Sequence, residues 1–378
     1  MKRKIKVMFS HDIFLNQKYG GISRYYYEVI KFLQNHEKFD VRLVCFPYVN
    51  SYLKKDKFIK IIGFYSNNSD RNKFTKIILS LFNIVISSIY SFIYRPDIFH
   101  ETFYSKYYVI LPKETIRTTT VYDMIHEKFN FYLPPYELGW KTKEMAINRA
   151  NFIFSISKTT KKDLINIMKV DKNKVKVTYL AADTKIFRAL KPSENLTHQP
   201  YLLYVGWRKW YKNISILFDA FLKDDRLYDD FNLILFGGGK LDDEEVEIIK
   251  KYKRKDWQSK IIQVDGDDNL LAIYYNNAFA FIHTSLYEGF GIPPLEAMAC
   301  GCPSILSPEG SISEIINRES AIFFDPKDTE ALTKSIIELK TNKERRRKLI
   351  NNGAQIVENY SWEQTGKQTS KVYLSLVD

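Results

Sequence analysis

Cysteine is scarce in this sequence, with only Cys45, Cys300 and Cys302 among 378 residues. Their irregular positions exclude a disulfide framework and the paired spacing of a zinc site, and they favour a reducing compartment. Cys300 and Cys302 are interpreted as small core residues. The sequence also has no low-complexity tract and no short-period repeat, which excludes a repeat array.

A secretory signal is not evident at the start of the chain. The stretch "MKRKIKVMFSHDIF" has a basic prefix, but its short apolar run is interrupted by His11 and Asp12. This pattern predicts a first β-strand rather than a signal peptide. We therefore expect the protein to remain in the cytoplasm.

Acidic residues are few in the first half of the chain. Residues 1–200 contain 34 Lys and Arg against 17 Asp and Glu, whereas residues 201–378 contain 23 against 27. A basic N-terminal half indicates contact with an anionic partner, either a membrane surface or a nucleic acid. Solvated lysine on an ordinary surface is the alternative interpretation.

Long hydrophobic runs are also scarce, and the exception is "IILSLFNIVISSIYSFIY" at 77–94, which carries no charge. Its length would allow it to cross a bilayer. Ser80, Asn83, Ser87 and Ser91 recur at steps of three and four, however, and form one polar stripe on a helix. We expect a helix that packs on a sheet or rests on a membrane surface, in preference to a membrane span.

Short β-rich segments alternate with helical patterns along the chain. In the first half these segments are "IKVMFS", "VRLVCF", "DIFHE", "TTTVYD", "FIFSIS" and "VKVTYL". In the second half they are "YLLYVG", "NLILFGGG", "IIQVDG", "AFIHTS" and "PSILS". Continuous apolar runs are typical of strands buried on both faces of a parallel sheet. The alternation predicts an α/β protein with two Rossmann-like domains.

The domain boundary is expected near the polar, Pro-containing stretch at 188–200. The first predicted domain comprises residues 1–190 and is joined by a C-terminal helix at 361–378. The second comprises residues 198–360. We expect the two parallel sheets to face each other across a cleft, with a ligand at the carboxyl ends of the strands.

Two glutamates stand eight positions apart in "SLYEGFGIPPLEAMACGCPSI", residues 285–305. Glu288 precedes a helix predicted to begin near Pro294, and Glu296 is expected in its first turn. Carboxylates can accept hydrogen bonds from sugar or ribose hydroxyls, while backbone amides at a helix start can face an anion. This division of labour fits a nucleoside diphosphate sugar. Complementing the helix dipole is the alternative role for Glu296.

Several segments in order resemble retaining glycosyltransferase family 4, whose members have the GT-B fold. The segment "EGFGIPPLEAMACGCPSI" resembles the E-x7-E signature, "GGISRYYYEV" the glycine loop, and "YVGWRKWYKNISILFDAF" the G-x-R…K-N segment. "DGDDNLLAIYYNNAFAFIHTS" and "YSWEQTG" also match family habits. The resemblance covers nearly the whole chain.

The resemblance implies roles for residues of the second domain. Arg208 and Lys212 would bind the donor diphosphate and neutralise the leaving group. Glu288 and the backbone amides of Gly289, Phe290 and Gly291 would hold the transferred sugar, and Glu296 would bind the ribose. Gly237, in "FGGG", lacks dinucleotide-fingerprint spacing and would let the nucleobase approach the backbone, or form a tight turn.

In the first domain, Gly20 and Gly21 precede a helix whose free N–H groups would face the diphosphate or the acceptor. The segment "VYDMIH" departs from the family pattern, because many members carry His-Asp at this strand end. Here Tyr122 precedes Asp123, and a histidine follows only at His126. We expect Asp123 and His126 to be functional, with either Tyr122 or His126 in the place of the family histidine.

The resemblance implies transfer without a protein nucleophile, in which positioning and electrostatic stabilisation lower the barrier. "DGDD" at 265–268 superficially resembles a metal-binding D-x-D, but family habit makes it a loop near the nucleotide. No cofactor and no metal requirement is expected, and the donor is a substrate.

The implied function is transfer of a hexose, with GDP-mannose as the favoured donor, to a lipid-linked or oligosaccharide acceptor in bacterial surface polysaccharide assembly. The enzyme is expected at the inner face of the cell membrane, held by its basic N-terminal domain. One alternative is a GT-B-like nucleotide-sugar epimerase. The other is a basic nucleic-acid-binding protein, which the dispersed charge and missing RNA-binding signature disfavour, so nucleic acid is not an expected partner.

Overall fold

A computed structural model describes residues 3–56, 58–68, 71–129, 139–190, 196–208 and 210–377, with side chains of 139 and 140 left aside. The chain forms two compact units. The first comprises Met1–Leu180 together with Trp362–Asp378, and the second comprises Ala181–Ser361. Each unit has a parallel sheet between helices, so the predicted α/β class with two Rossmann-like domains is confirmed.

The sheet of the first unit has seven parallel strands in the order β3-β2-β1-β4-β5-β6-β7. Its strands are β1 (Ile5–Phe9), β2 (Phe39–Tyr48), β3 (Ile61–Tyr65), β4 (Ile98–Glu101), β5 (Ile116–Val121), β6 (Phe152–Ser155) and β7 (Val175–Val177). The order reverses direction between β1 and β4, which is the switch point where open α/β sheets bind ligands.

Helices α1 to α7 connect these strands. They are α1 (Asp12–Asn16), α2 (Gly21–Asn35), α3 (Ser51–Lys55), α4 (Lys73–Tyr94), α5 (Ile125–Lys128), α6 (Gly139–Arg149) and α7 (Lys158–Met168). The longest, α4, contains the uncharged run at 77–94, and its N-cap Asn72 accepts a hydrogen bond from the amide of Thr75. Within the described residues, α4 alone has the length and mean hydropathy of a possible membrane span.

The sheet of the second unit has six parallel strands in the order β10-β9-β8-β11-β12-β13. They are β8 (Tyr201–Val205), β9 (Asn232–Phe236), β10 (Ile261–Val264), β11 (Ala280–His283), β12 (Ser304–Leu306) and β13 (Ile322–Phe323). The helices are α8 (Ile214–Lys223), α9 (Asp225–Asp230), α10 (Asp243–Lys250), α11 (Trp257–Lys260), α12 (Asp268–Asn277), α13 (Ile292–Ala299), α14 (Ile312–Ile315), α15 (Thr329–Thr341) and α16 (Lys343–Glu358).

The core of the second unit lies where α8 and α15 cover the sheet. Leu217, Phe218 and Phe221 of α8 are fully buried against Leu233 and Leu235 of β9 within one apolar cluster. Burial of each such side chain contributes about 1.5 to 3 kcal/mol of transfer free energy. This packing fixes α8, and with it the loop that carries Arg208 and Lys212.

Two strands, β3 and β13, were not predicted. Strand β3 is short and incompletely buried, so it lacks the apolar run of its neighbours. Gly63 interrupts the apolar run of β3. Glycine is needed at this position, because a Cβ there would lie 1.7 Å from the carbonyl oxygen of Cys45 on β2. Strand β13 has only two residues, which is too short for a periodic signal.

Residues 181–190 belong to the second unit, whereas the sequence analysis assigned them to the first. The ring of Phe187 packs edge-on against Tyr275 of α12 at 6.0 Å. The amide of Leu190 donates to Asn276 Oδ1 at 2.7 Å, and Asn276 Nδ2 donates to the carbonyl of Arg188 at 3.0 Å. The polar, Pro-containing stretch at 188–200 therefore begins after the boundary between the two units, which lies between Leu180 and Ala181.

The last helix, α17 (Trp362–Val377), is part of the first unit. Thr365 donates from Oγ1 to the carbonyl of Tyr179 at 2.7 Å. Gly366 allows close approach to α2, because a Cβ there would lie 2.2 Å from Cγ of Phe32. Tyr373 is fully buried and hydrogen bonds to His100 of β4.

Candidate functional site

Three loops of the second unit leave the carboxyl ends of β9, β8 and β11, which are adjacent strands in the sheet. The loop after β8 contains Arg208 and Lys212, the loop after β9 contains Gly237, and the loop after β11 contains Glu288. Parallel strands end at the same edge, so the topology gathers residues that are distant in sequence.

The loop after β9 is a run of three glycines with left-handed backbone. Gly237, Gly238 and Gly239 have φ values of 77°, 79° and 74°. Residues with a Cβ adopt this region only with strain. Gly238 also lacks space, because a Cβ there would lie 2.8 Å from the carbonyl oxygen of Gly206 and 2.7 Å from Arg208 Nη1. The local reason for glycine is thus both conformational and steric.

The guanidinium of Arg208 binds this glycine loop and an acidic side chain. Nε donates to Glu245 Oε1 at 2.6 Å. The terminal nitrogens donate to the carbonyls of Gly237 at 3.0 Å, Gly239 at 3.0 Å and Lys240 at 2.9 Å. Arg208 was predicted to bind a diphosphate, and the structure places it as the clamp of a loop. Glu245, which holds it, was not predicted.

Lys212 and Glu288 form a close ion pair. Lys212 Nζ donates to Glu288 Oε1 at 2.6 Å. The same oxygen accepts from Ser285 Oγ at 2.7 Å and lies 3.1 Å from Nε2 of the buried His283. Thr284 Oγ1 donates to the carbonyl of Lys212 at 2.6 Å, which ties the two loops together.

This environment keeps Glu288 ionised. Burial alone would raise the pKa of its carboxyl group, but the charge of Lys212 and the hydrogen bond from His283 outweigh burial. The net result is a pKa held well below the ordinary value of 4.5. Glu288 is therefore a hydrogen-bond acceptor at neutral pH, as a sugar-binding carboxylate must be.

The backbone at Glu288 is supported by a glycine that the sequence analysis missed. Gly310 has φ 68°, and a Cβ there would lie 2.4 Å from both N and O of Glu288. The neighbouring Ser311 donates to the Glu288 carbonyl from its amide at 3.0 Å and from Oγ at 3.1 Å. The only sequence signal was a Pro-Glu-Gly turn at 308–310, which is common in loops.

Gly289, Phe290 and Gly291 lead from Glu288 into α13. Phe290 is buried, and its ring packs edge-on against Tyr360 at 5.7 Å. Gly291 caps α13 with φ 102°, and a Cβ there would lie 2.5 Å from Cδ1 of Ile312. These contacts make the turn a rigid backbone segment at the start of a helix.

Helix α13 begins at Ile292, two residues before the predicted start at Pro294. Pro293 and Pro294 have no amide hydrogen, so amides for an anion at this end come only from the residues before them. Glu296 is the fifth helical residue, two positions further into the helix than predicted, and lies at the start of the second turn. Its Oε2 lies 3.4 Å from the hydroxyl of Tyr275, which belongs to α12.

Asp267, part of the "DGDD" segment, has a structural role. Its side chain caps α12 by accepting from the amide of Leu270 at 3.0 Å. Among the residues that the structure describes, no group of three or more His, Cys, Asp and Glu is arranged to hold a metal ion.

In the first unit, the predicted residues follow β1 and β5. Gly20 caps α2, and its carbonyl accepts from the Arg24 amide at 2.9 Å and from Ser23 Oγ at 3.0 Å. The amide of Ser23 donates to Gln17 Oε1 at 3.2 Å. At the start of α2, one of the amides next to Gly20 and Gly21, that of Ser23, is therefore already hydrogen bonded to the side chain of Gln17.

Tyr122, Asp123 and His126 follow β5. Tyr122 is buried, and its hydroxyl donates to the carbonyl of Thr102 at 3.0 Å. The Asp123 carboxylate accepts from the amide of Ile125 at 3.1 Å, and Lys143 Nζ lies 3.5 Å away. His126 lies on α5 with a partly exposed side chain. Of the two candidates for the place of the family histidine, Tyr122 is thus buried in the core with its hydroxyl hydrogen bonded, and His126 is the one that is partly exposed.

Lys143 is a further charged residue near Asp123. It is 2% exposed, and Nζ donates to Glu127 Oε2 at 2.9 Å and to the carbonyl of Asp123 at 2.9 Å. Sequence reasoning missed it because α6, on which it lies, has an ordinary polar pattern.

The second unit therefore combines a rigid glycine loop, an ion-paired carboxylate and a glycine turn at a helix start. Such a set can hold a ligand with hydroxyls at one end and an anionic group beside them.

The comparisons with known proteins agree with this chemistry. Residues 186–356 match the family model described as glycosyl transferases group 1.

The chain therefore contains a group 1 glycosyltransferase domain. O-antigen chain mannosyltransferase B of Escherichia coli is 27% identical over 281 residues, which are 70% of this chain and 71% of that protein. O-antigen chain mannosyltransferase RfbU of Salmonella typhimurium is 29% identical over 195 residues, or 51% of this chain and 52% of that protein. The chain thus spans between about half and seven tenths of these relatives.

The whole chain also matches solved structures. Sucrose-phosphate synthase from Thermosynechococcus elongatus superposes with a TM-score of 0.77 over 99% of both chains, at 19% sequence identity. Because the sequence identity is this low, the superposition shows a shared fold and no more than that. The predicted resemblance to glycosyltransferases of the GT-B fold is confirmed.

Proposed function

We propose that this glycosyltransferase moves a hexose, with mannose from GDP-mannose favoured, to a growing lipid-linked glycan in surface polysaccharide assembly, with retention of anomeric configuration. The observation that carries the proposal is the Glu288 carboxylate held ionised by Lys212 and His283 beside a glycine turn. The preference for mannose is supported by the two O-antigen mannosyltransferases that the chain resembles.

In the proposed donor complex, Glu288 accepts hydrogen bonds from hydroxyls of the transferred sugar. Lys212 Nζ, which lies 2.6 Å from Glu288, would neutralise a diphosphate attached to the same sugar. Arg208 approaches the diphosphate by exchanging loop carbonyls for phosphate oxygens, while Glu245 keeps the guanidinium in place. Glu296 binds the ribose, and Gly237 lies against the base.

The reaction breaks the bond between the anomeric carbon and the diphosphate oxygen and forms a bond to the acceptor oxygen on the same face. The departing diphosphate oxygen accepts the acceptor proton. Positive charge at Lys212 and Arg208 stabilises the negative charge on the leaving group, a type of contribution worth about 10²- to 10³-fold in rate. Asp123 and His126 are proposed to orient the acceptor. The reaction needs no metal in this proposal.

The enzyme is further proposed to work at the inner face of the cell membrane, where a lipid-linked acceptor would be presented. The first unit supports this location by its charge, with 33 Lys and Arg against 17 Asp and Glu. The second unit has 24 against 27. Attraction of a basic surface to anionic lipids is a general electrostatic effect.

The donor is tested by thermal unfolding of the purified protein with GDP-mannose, UDP-glucose, UDP-galactose, UDP-N-acetylglucosamine, GDP and UDP, all in EDTA. A ligand that binds the folded state raises the unfolding temperature. We expect stabilisation by GDP-mannose and GDP, and its loss in Glu296→Ala. Glu330→Ala, at an exposed position on α15, is the control and should keep the shift.

Stabilisation by the UDP series instead would reject GDP-mannose and keep the nucleotide site. A folded protein that responds to no nucleotide, with or without added Mg²⁺, would reject the donor site. Retention is checked by NMR of the product formed by wild-type enzyme, where the new bond should have the anomeric configuration of the donor. An inverted product would overturn the mechanism.

A further inference from the structure

Helix α4 (Lys73–Tyr94) has its polar and apolar faces the wrong way round for a helix that packs on a sheet. Its fully buried members within the central and C-terminal turns are polar: Asn83, Ser87 and Ser91. Apart from Lys73 at its first position, its exposed members are apolar, with residues between 40% and 74% exposed: Phe74, Ile77, Ile78, Leu81, Phe82, Val85, Ile89, Phe92 and Ile93. A helix on a protein surface normally shows the reverse arrangement.

The buried polar face is bonded to the first unit. Asn83 Oδ1 accepts from the amide of Phe46 at 2.7 Å, and Nδ2 donates to the carbonyl of Phe46 at 2.6 Å. Ser91 Oγ donates to the carbonyl of Ile110 at 2.9 Å, and Ser88 Oγ accepts from the Ile110 amide at 2.9 Å. These bonds fix the rotation of α4, so the outward direction of its apolar face is a built feature.

The apolar surface continues beyond α4 onto neighbouring segments. The ring of Phe46 lies edge-on to both Phe82 of α4 and the exposed Phe64 of β3, at 6.4 and 6.3 Å. Ile110, whose backbone is hydrogen bonded to Ser88 and Ser91 of α4, is 61% exposed. An exposed apolar surface of this extent marks an interaction site.

Exposed basic residues lie at both ends of α4 and on either side of Ile110 in the sequence. Exposed Lys73 lies at the start of α4 and exposed Arg95 at its end, and exposed Lys106 and Lys113 flank Ile110 in sequence. Between residues 71 and 113 there are six Lys and Arg and two acidic residues, Asp97 and Glu101, and Glu101 is paired with Arg117. An apolar face with cationic residues at its margins is complementary to an anionic lipid surface.

We propose that α4 lies in the plane of an anionic bilayer, with its apolar face inserted at the boundary between headgroups and acyl chains. This deepens the membrane location proposed above, since it names the element that inserts. A membrane span is disfavoured because α4 connects β3 to β4 in one parallel sheet and is bonded to it along its length. Crossing the bilayer would break these bonds.

The test is flotation of purified full-length protein with vesicles of phosphatidylethanolamine and phosphatidylglycerol, and with vesicles of phosphatidylcholine alone. Wild type is expected to float with the anionic vesicles. Val85→Asp with Ile89→Asp is expected to lower the vesicle partition coefficient at least about tenfold, because two inserted side chains become charged. Both positions are exposed, so the double variant should fold.

The matched control is Met145→Asp with Ile167→Asp, which makes the same charge change at exposed positions on α6 and α7 of the same unit. It should bind vesicles like wild type. As a second readout, fluorescence of an Ile89→Trp variant should be quenched by lipids with brominated acyl chains, and that of Ile167→Trp should not.

Equal loss of binding in both double variants would reject insertion of α4 and leave only general electrostatic attraction. A wild-type dimer in sedimentation that the Val85→Asp and Ile89→Asp pair dissociates, with vesicle binding unchanged, would assign the face to a second copy and also overturn the proposal. Nucleotide-induced stabilisation is measured on the same variants. Its retention when vesicle binding fails separates failure of this inference from failure of the donor site.

Discussion

Lys212 and Glu288 are 76 positions apart in the chain and meet at 2.6 Å. Neither residue indicates a binding site by itself, because a lysine in "RKWYK" is an ordinary basic residue and a glutamate before a glycine is an ordinary loop residue. The pair becomes informative because Ser285 and His283 bind the same carboxylate oxygen. The sequence motif located Glu288 correctly within a turn, but it contained no information about which cation would face it.

At the residue scale, Lys212→Ala is expected to lower kcat by about 10²-fold or more, because the charge opposite the leaving group is lost. It should also destabilise the protein by about 2 to 3 kcal/mol, since the Glu288 carboxylate loses a charged hydrogen bond. Transfer assays and urea unfolding measure the two effects. Lys334→Ala, at an exposed residue of α15, is the control and should change neither. A kcat within about threefold of wild type in Lys212→Ala would contradict the proposed role.

At the scale of elements, the loops after β8 and β9 work as one piece. Arg208 binds carbonyls of the glycine loop, and Gly238 packs against the carbonyl of Gly206. The glycine run was visible in the sequence, and so was Arg208. Their contact was not, because it depends on β8 and β9 being neighbours in the sheet. The start of α13 was predicted two residues late, because the two prolines were taken as the first turn of the helix.

Gly238→Ala and Gly239→Ala provide a matched pair of variants within this loop. Both residues have φ near 75°, so each alanine carries backbone strain of about 1 to 2 kcal/mol. Only Gly238→Ala adds a clash, because no atom lies within 4 Å of a Cβ at Gly239. Gly238→Ala should therefore be less stable than Gly239→Ala by about 1 kcal/mol or more in urea unfolding. Equal stabilities would show that the loop relaxes away from Arg208.

At the scale of the whole molecule, the chain forms a first unit, a second unit, and then a helix that returns to the first. The first unit therefore contains both ends of the chain. The return is made possible by Gly366 of α17, where the absence of a side chain lets α2 approach. Charge is divided along the same lines, with the excess of Lys and Arg in the first unit.

Gly366→Ala should weaken the first unit. The new Cβ would lie 2.2 Å from Cγ of Phe32, which is close to the backbone of α2 and cannot rotate away freely. Overpacking of this kind costs about 1 to 3 kcal/mol. Thermal unfolding measures the loss. Ser375→Ala, at an exposed position of the same helix, should leave the unfolding temperature unchanged and serves as control. An unaltered unfolding temperature in Gly366→Ala would reject close packing of α17 on α2.

The sequence by itself determined the two α/β units, the positions of most strands along the chain and the resemblance to glycosyltransferases, because apolar runs, glycine turns and the glutamate motif are local patterns. It also determined that one polar stripe runs along α4. Only the tertiary structure decided that this stripe faces inward, that Glu245 clamps Arg208, and that Gly310 supports Glu288. These features depend on which strands are adjacent and on distances of a few ångströms between segments far apart in the chain, and no local pattern contains that information.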